Sequence, residues 1–129
     1  MTRELLAVLA GGAVGTGIRL AIDTTIPHGD DAFPVSTLII NTVGSLLLGL
    51  LVARLWPRAA GWLRAALGVG LLGSFTTFSA VTVSLVALAN ASEWMLAAAY
   101  LVATLALGWG AAALGLSLGT LRTPRAQAP

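Results

Sequence analysis

Apolar residues fill this chain in four long blocks, at 5–22, 35–55, 63–89 and 94–121, and most polar residues are confined to what lies between them. A helix needs about 20 apolar residues to cross a bilayer, so each block predicts one membrane span. The first interruption, DTTIPHGDDAFP, is polar and bounded by proline. The second, around RLWPRAAGWLR, is short and basic, and the third, NASE, is only a tight turn. The ending TLRTPRAQAP, rich in Pro, Ala and Arg, reads as a disordered tail at 122–129 behind a four-helix unit at 1–121.

The third block breaks its own pattern. Its middle, GVGLLGSFTTFSAVTVS at 68–84, lies in a charge-free apolar run yet gathers Gly73, Ser74, Thr76, Thr77 and Ser79, with Phe75 and Phe78 among them. Hydroxyls clustered at membrane depth either glue helices together or mark a helix that opens onto something wet. Back-bonding to the i−4 carbonyl accounts for one or two of them. Thr76, Thr77, Ser79, Thr82 and Ser84 within nine positions exceed that, so the expectation is an opened helix. Phe75, Phe78 or Ser79, and Thr82 keep i, i+3/4, i+7 spacing, which mixes rings and donors on one face. An aromatic ring has a positive edge, and hydroxyls and amides donate hydrogen bonds. Such a face suits a small anion. Plain packing is the bland alternative for either ring taken singly.

Small residues also recur at helical spacing: Gly11 and Gly15, Ser45 and Gly49, then Ala111, Gly115 and Gly119. They let helix backbones approach closely, which packing in lipid requires. Four helices this short bury little among themselves, so an oligomer is expected, most simply a dimer.

Composition sharpens the class. Of 129 residues, 57% are hydrophobic and 9% charged, which fits an all-α integral membrane protein with almost no material outside the bilayer. Trp56, Trp62 and Trp94 stand at span ends, where indoles anchor at the interface. There is no cysteine, which excludes disulfides and thiol catalysis. The N-terminal block is too long and glycine-rich for a cleaved signal. The seven basic residues are all arginines, and in a membrane protein they report orientation rather than nucleic-acid binding. Arg3, Arg54, Arg58, Arg64, Arg122 and Arg125 fall on one side against Glu4, while Asp23, Asp30, Asp31 and Glu93 face only Arg19 on the other. Both termini are therefore expected in the cytoplasm.

Among single residues, Asn41 in the second span reads alone as interhelical glue. Arg19, late in the first span, either snorkels to the interface or pairs with Asp23 one turn on. Tyr100 and Thr104 stand at i, i+4, and the phenol at that depth either lines a polar track or is only another satisfied hydrogen bond. His28 is the only histidine, and no carboxylate pair or Ser/His/Asp set lies at membrane depth, so enzyme activity is not expected.

Three stretches, GGAVGTGIR (11–19), FPVSTLIINTVGSLLLG (33–49) and GLLGSFTTFSAV (70–81), resemble the signatures of the CrcB/Fluc fluoride channels, in that family's order and spacing. The resemblance implies a bacterial plasma-membrane protein and a dimer of two antiparallel four-helix subunits. It also implies two fluoride pores and a central structural sodium ion. By motif position, the sodium falls to the backbone carbonyls of Gly73 and Thr76, at a break in the centre of the third helix. The pore asparagine falls on Asn41, the first-helix arginine at the pore entrance on Arg19, and the first pore phenylalanine on Phe78, with Ser79 following it. Thr77 and Tyr100 complete the expected fluoride pathway. The sequence departs from the pattern at Val81, where the second pore phenylalanine would stand, and at Ala80, in place of threonine. Phe75 lies on the other side of the expected break and is not taken as a substitute.

An inverted homodimer needs a chain with little topological preference, and this chain has a strong one. The expected partner is a second copy of itself or, on the charge count, an oppositely oriented homologous subunit. The expected function is passive export of cytoplasmic fluoride. Alternatives are a non-conducting structural subunit of a heterodimeric channel, favoured by Val81, and a small multidrug-type exporter. The exporter would need a mid-membrane carboxylate to exchange protons.

Overall fold

The computed structural model describes residues 1–27 and 29–120, and all the regular structure among them is helical. The tail expected at 122–129 lies outside the described residues. Four stretches are long and apolar enough to cross a membrane: Thr2–Thr25, Val35–Arg54, Gly61–Asn90 and Trp94–Thr120. We call the first two α1 and α2. The third divides into α3 (61–75) and α4 (Phe78–Asn90), and the last is α5. At about 1.5 Å per residue, the 27 residues of α5 exceed a hydrocarbon core of about 30 Å, so α5 spans with room to tilt.

Local chemistry sets the ends. Pro27 cannot continue α1, and Pro34 stands at the N-cap of α2, where its missing N–H costs nothing. The end of α4 is a Schellman turn: Glu93 N–H returns to the Leu88 carbonyl at 2.8 Å and Ser92 N–H to the Ala89 carbonyl at 3.0 Å. Ser92 carries this turn with φ of 62°, a left-handed conformation that glycine adopts without a Cβ penalty. Ser92→Gly is expected to stabilise the protein by about 1 kcal/mol, read as a higher unfolding midpoint in detergent.

The third span is irregular in two places. Ala65–Leu72 is π-helical and ends with the Gly73 N–H on the Gly68 carbonyl, five residues back. Thr76 (φ −76°, ψ 154°) and Thr77 (φ −150°, ψ 121°) are then fully extended, so the helix is broken at the centre of the span. β-Branched residues favour extended backbone. Thr77 also caps α4, its Oγ1 accepting the Ala80 N–H at 3.2 Å. The break is thus written into a Thr–Thr pair.

Glycines decide which helices pair. A methyl group built on Gly11 or Gly15 of α1 collides with the Ala66 or Leu71 carbonyl of α3. On the other side, Gly49 of α2 faces the Ala112 carbonyl, Gly115 of α5 faces the Leu46 carbonyl, and Gly119 meets the Ala53 side chain. The residue numbers rise together across each contact, so α1 runs parallel to α3 and α2 runs parallel to α5. Two small cores flank the break: Ile40, Leu72 and Phe75 on the α3 side, and Val81, Leu88 and Tyr100 on the α4 side. Burial is otherwise sparse, at 6% of the most apolar window in both α1 and α5. The outer faces of those helices are left to lipid or a second subunit.

Candidate functional site

Asn41 sits on α2, 36 residues from the break in sequence, and holds it in both directions. Its Nδ2 donates to the Thr77 carbonyl at 2.9 Å, and its Oδ1 accepts the Thr77 N–H at 2.8 Å. The amide therefore does bridge two helices, but to backbone rather than to another side chain. Room for this comes from Gly44, one turn along α2, where any Cβ would collide with the Thr76 methyl group. The Asn41–Gly44 spacing was a readable signal of this contact, because i, i+3 places both on one helix face.

The clamp has a second consequence. In an unbroken helix the Gly73 carbonyl would accept the Thr77 N–H. Asn41 has taken that donor, so Gly73 loses its helical partner while Thr76 turns extended.

Four of the hydroxyls divide in two groups. Thr76 Oγ1 donates to the Leu72 carbonyl at 2.9 Å and Thr82 Oγ1 to the Phe78 carbonyl at 3.2 Å, the back-bonding that needs no functional account. Thr77 Oγ1 and Ser79 Oγ instead lie 3.0 Å apart, bonded to each other beside the break.

Two open-sided grooves meet there. One, of about 710 Å³, runs between α2, α3–α4 and α5 and takes in Asn41, Gly73, Thr76, Phe78 and Thr104. The other, of about 460 Å³, lies between α1 and α4 and takes in Thr16, Arg19, Asp23 and Ser79. Thr77 lines both. Phe78 and Ser79, adjacent in sequence, diverge into different grooves because successive helix positions point about 100° apart. Phe78 is 81% exposed, so no packing within this chain explains a ring there. Arg19 is half-buried and, among the described residues, forms no ion pair with Asp23.

Tyr100 is placed differently. It is fully buried in the core beside Val81 and Leu88, with Phe33 edge-on at 5.5 Å. Its hydroxyl lies among those of Thr37, Ser84 and Thr104, but no acceptor or donor closes to hydrogen-bonding geometry. Thr104 Oγ1, also unpartnered and buried, connects this cluster to the larger groove. Val81 is 3% exposed and reaches the same groove from the core side. The buried hydroxyl of Thr37 escapes a sequence reading, since nothing in its spacing ties it to Tyr100.

Residues 6–116 match the family model described as CrcB-like protein, Camphor Resistance (CrcB). The chain is 39% identical over 108 residues to "Fluoride-specific ion channel FluC 1" of Mycobacterium bovis, covering 82% of each chain. It is 44% identical over 100 residues to "Fluoride-specific ion channel FluC" of Idiomarina loihiensis, covering 76% of this chain and 78% of that one. With the channel of the same name from Hydrogenobaculum sp. it shares 38% identity over 118 residues, covering 90% and 97%.

Proposed function

Because this chain belongs to the CrcB (FluC) family of fluoride channels, we infer that it is a fluoride-specific ion channel subunit, a multi-pass membrane protein and not an enzyme. We propose that its ion path runs past the broken helix. The observation that carries this reading is Thr77, held open by Asn41 and lining both grooves.

Fluoride is compact and strongly hydrated, so a path for it must replace water with many close donors. Asn41, Thr77, Ser79, Thr104 and Tyr100 are the candidates for that role, and the positive edge of Phe78 adds an electrostatic contact without a fixed charge. Arg19 would raise the local concentration of anions at the mouth of the smaller groove. Fluoride enters an acid-stressed cell as neutral HF and is trapped inside as the anion. An interior-negative potential then drives it out, at about 2.3 kcal/mol per charge for each 100 mV. No pump is required.

A structural sodium ion fits the residues present. The Gly73 and Thr76 carbonyls lie at the break, Gly73 has lost its helical donor, and both residues line the larger groove. Carbonyls at a helix break are suitable ligands for such a cation. The ion would supply fixed positive charge at the centre of the assembly.

Both grooves lack a wall in the single chain, which a second subunit would supply. We expect an antiparallel dimer, with both termini of this chain in the cytoplasm. The arginine count favours an oppositely oriented homologue as partner. Val81 supports a second reading, in which this subunit mainly completes its partner's pores. The exporter alternative lacks its carboxylate, since the described spans carry Glu4 and Asp23 only near the ends of α1.

Purified chain in liposomes, loaded with fluoride and followed with a fluoride electrode against a chloride control, tests the main reading. Selective efflux from this chain alone supports a conducting homodimer; efflux only on co-expression with a homologue supports the mixed dimer. Phe78→Ile is expected to lower efflux at least about tenfold, a loss of about 1.4 kcal/mol in ion stabilisation. Because Phe78 is exposed, folding should hardly change. Undiminished efflux would remove Phe78 from the path.

A further inference from the structure

Four arginines gather at one end of the helices. Arg3 lies over the Trp62 ring at 4.7 Å, which brings the N-termini of α1 and α3 together. The short connection after α2 then places Arg54, Arg58 and Arg64 at that same end. The one described carboxylate there, Glu4, sits against Gly61. Arg54, Arg58 and Arg64 are exposed, and among the described residues none forms an ion pair.

The segment that carries them is ordered. The N–H groups of Arg58 and Ala59 both return to the Leu55 carbonyl, at 3.1 and 2.9 Å. The Trp56 ring lies over Gly68, 3.0 Å from where a Cβ would stand. The apolar surface of α1 begins directly beyond Arg3, with Leu5 and Leu6 each 61% exposed. The arrangement is a set of exposed guanidiniums, with Arg54, Arg58 and Arg64 in no ion pair among the described residues, carried on an ordered segment beside an exposed apolar surface.

Guanidiniums match phosphate oxygens in geometry, and arginines next to a span draw anionic lipid. We propose that this end of the protein is a binding site for anionic phospholipid, with Arg54, Arg58 and Arg64 holding headgroup phosphate. A free phosphate would gain nothing from the apolar surface alongside, which is why the occupant is a lipid. The site does not depend on how the ion path is assigned.

The test uses the full chain in detergent with phosphatidylglycerol, phosphatidylcholine or inorganic phosphate added, read by native mass spectrometry and unfolding midpoint. Phosphatidylglycerol should be retained in preference to phosphatidylcholine, and it should raise the midpoint where inorganic phosphate does not. Each arginine removed should weaken retention by about fivefold, so R54Q/R58Q/R64Q should abolish the preference and R54K/R58K/R64K should keep most of it. Equal retention of both lipids by the unaltered protein would overturn the proposal. So would a preference that survives in the glutamine variant, or a rise in midpoint matched by inorganic phosphate.

Discussion

Asn41→Ala is expected to reduce fluoride efflux at least about tenfold and to loosen the fold as well. Asn41 is the sole described partner of both the Thr77 N–H and the Thr77 carbonyl. Removing it leaves two part-buried backbone groups without partners, at about 1–3 kcal/mol each. The extended backbone at Thr76 and Thr77 then keeps only the local preference of its β-branched pair and the Thr77 cap against reforming a helix, and the Gly73 carbonyl can recover its usual donor. Asn41→Asp separates the two roles. It keeps an acceptor for the Thr77 N–H but faces the Thr77 carbonyl with a negative oxygen, which also repels an anion. Its efflux should fall as far as that of the alanine variant while more of the folded state survives. Liposome efflux together with an unfolding midpoint reads both effects. Efflux unchanged in both variants would remove Asn41 from the ion path and leave it a structural clamp.

Gly15→Val should damage folding more than any of the other substitutions. The added Cβ runs into the Leu71 carbonyl and comes within 3.1 Å of the Phe75 backbone nitrogen. Backbone cannot swing aside as a side chain does, so α1 must withdraw from α3 along the length of their contact. The cost should reach about 3 kcal/mol or more, at the upper end for overpacking. Gly17→Val is the matched control two residues on, where a Cβ meets nothing within 4 Å. It should shift stability by no more than about 0.5 kcal/mol. Size-exclusion profiles and unfolding midpoints of the two variants decide it. If both behave alike, the close approach of α1 and α3 is not what holds this half of the molecule together.

Much of this was legible because the relevant physics is local. Hydropathy alone located four spans, since a bilayer demands runs of one length. The small-residue faces at Gly11/Gly15, Ser45/Gly49 and Gly115/Gly119 were visible as spacing, and in the structure they lie at close helix contacts. Which helices they join was not visible, because any two small faces fit one another equally well. The back-bonding of Thr76 and Thr82 shows the limit from the other side. The number of hydroxyls does not separate those bonded back to their own helix from those at the break, and only their bond partners tell the two groups apart. Tyr100 shows it again. Its spacing from Thr104 was readable, but its burial beside Phe33, Val81 and Leu88 depends on how α2 and α4 pack on α5.

By itself the sequence determined the four spans, the uneven distribution of arginines and the place where the third helix breaks. Each rests on interactions within a few residues: apolar length, charge count, and a β-branched pair whose second member caps the next helix. Only the tertiary structure decided what surrounds the break. It brought Asn41 to Thr77 across 36 positions, sent Phe78 and Ser79 into separate grooves, and left Tyr100 in the core. Those outcomes rest on glycine-to-backbone contacts between helices, and such contacts exist only once the helices have packed.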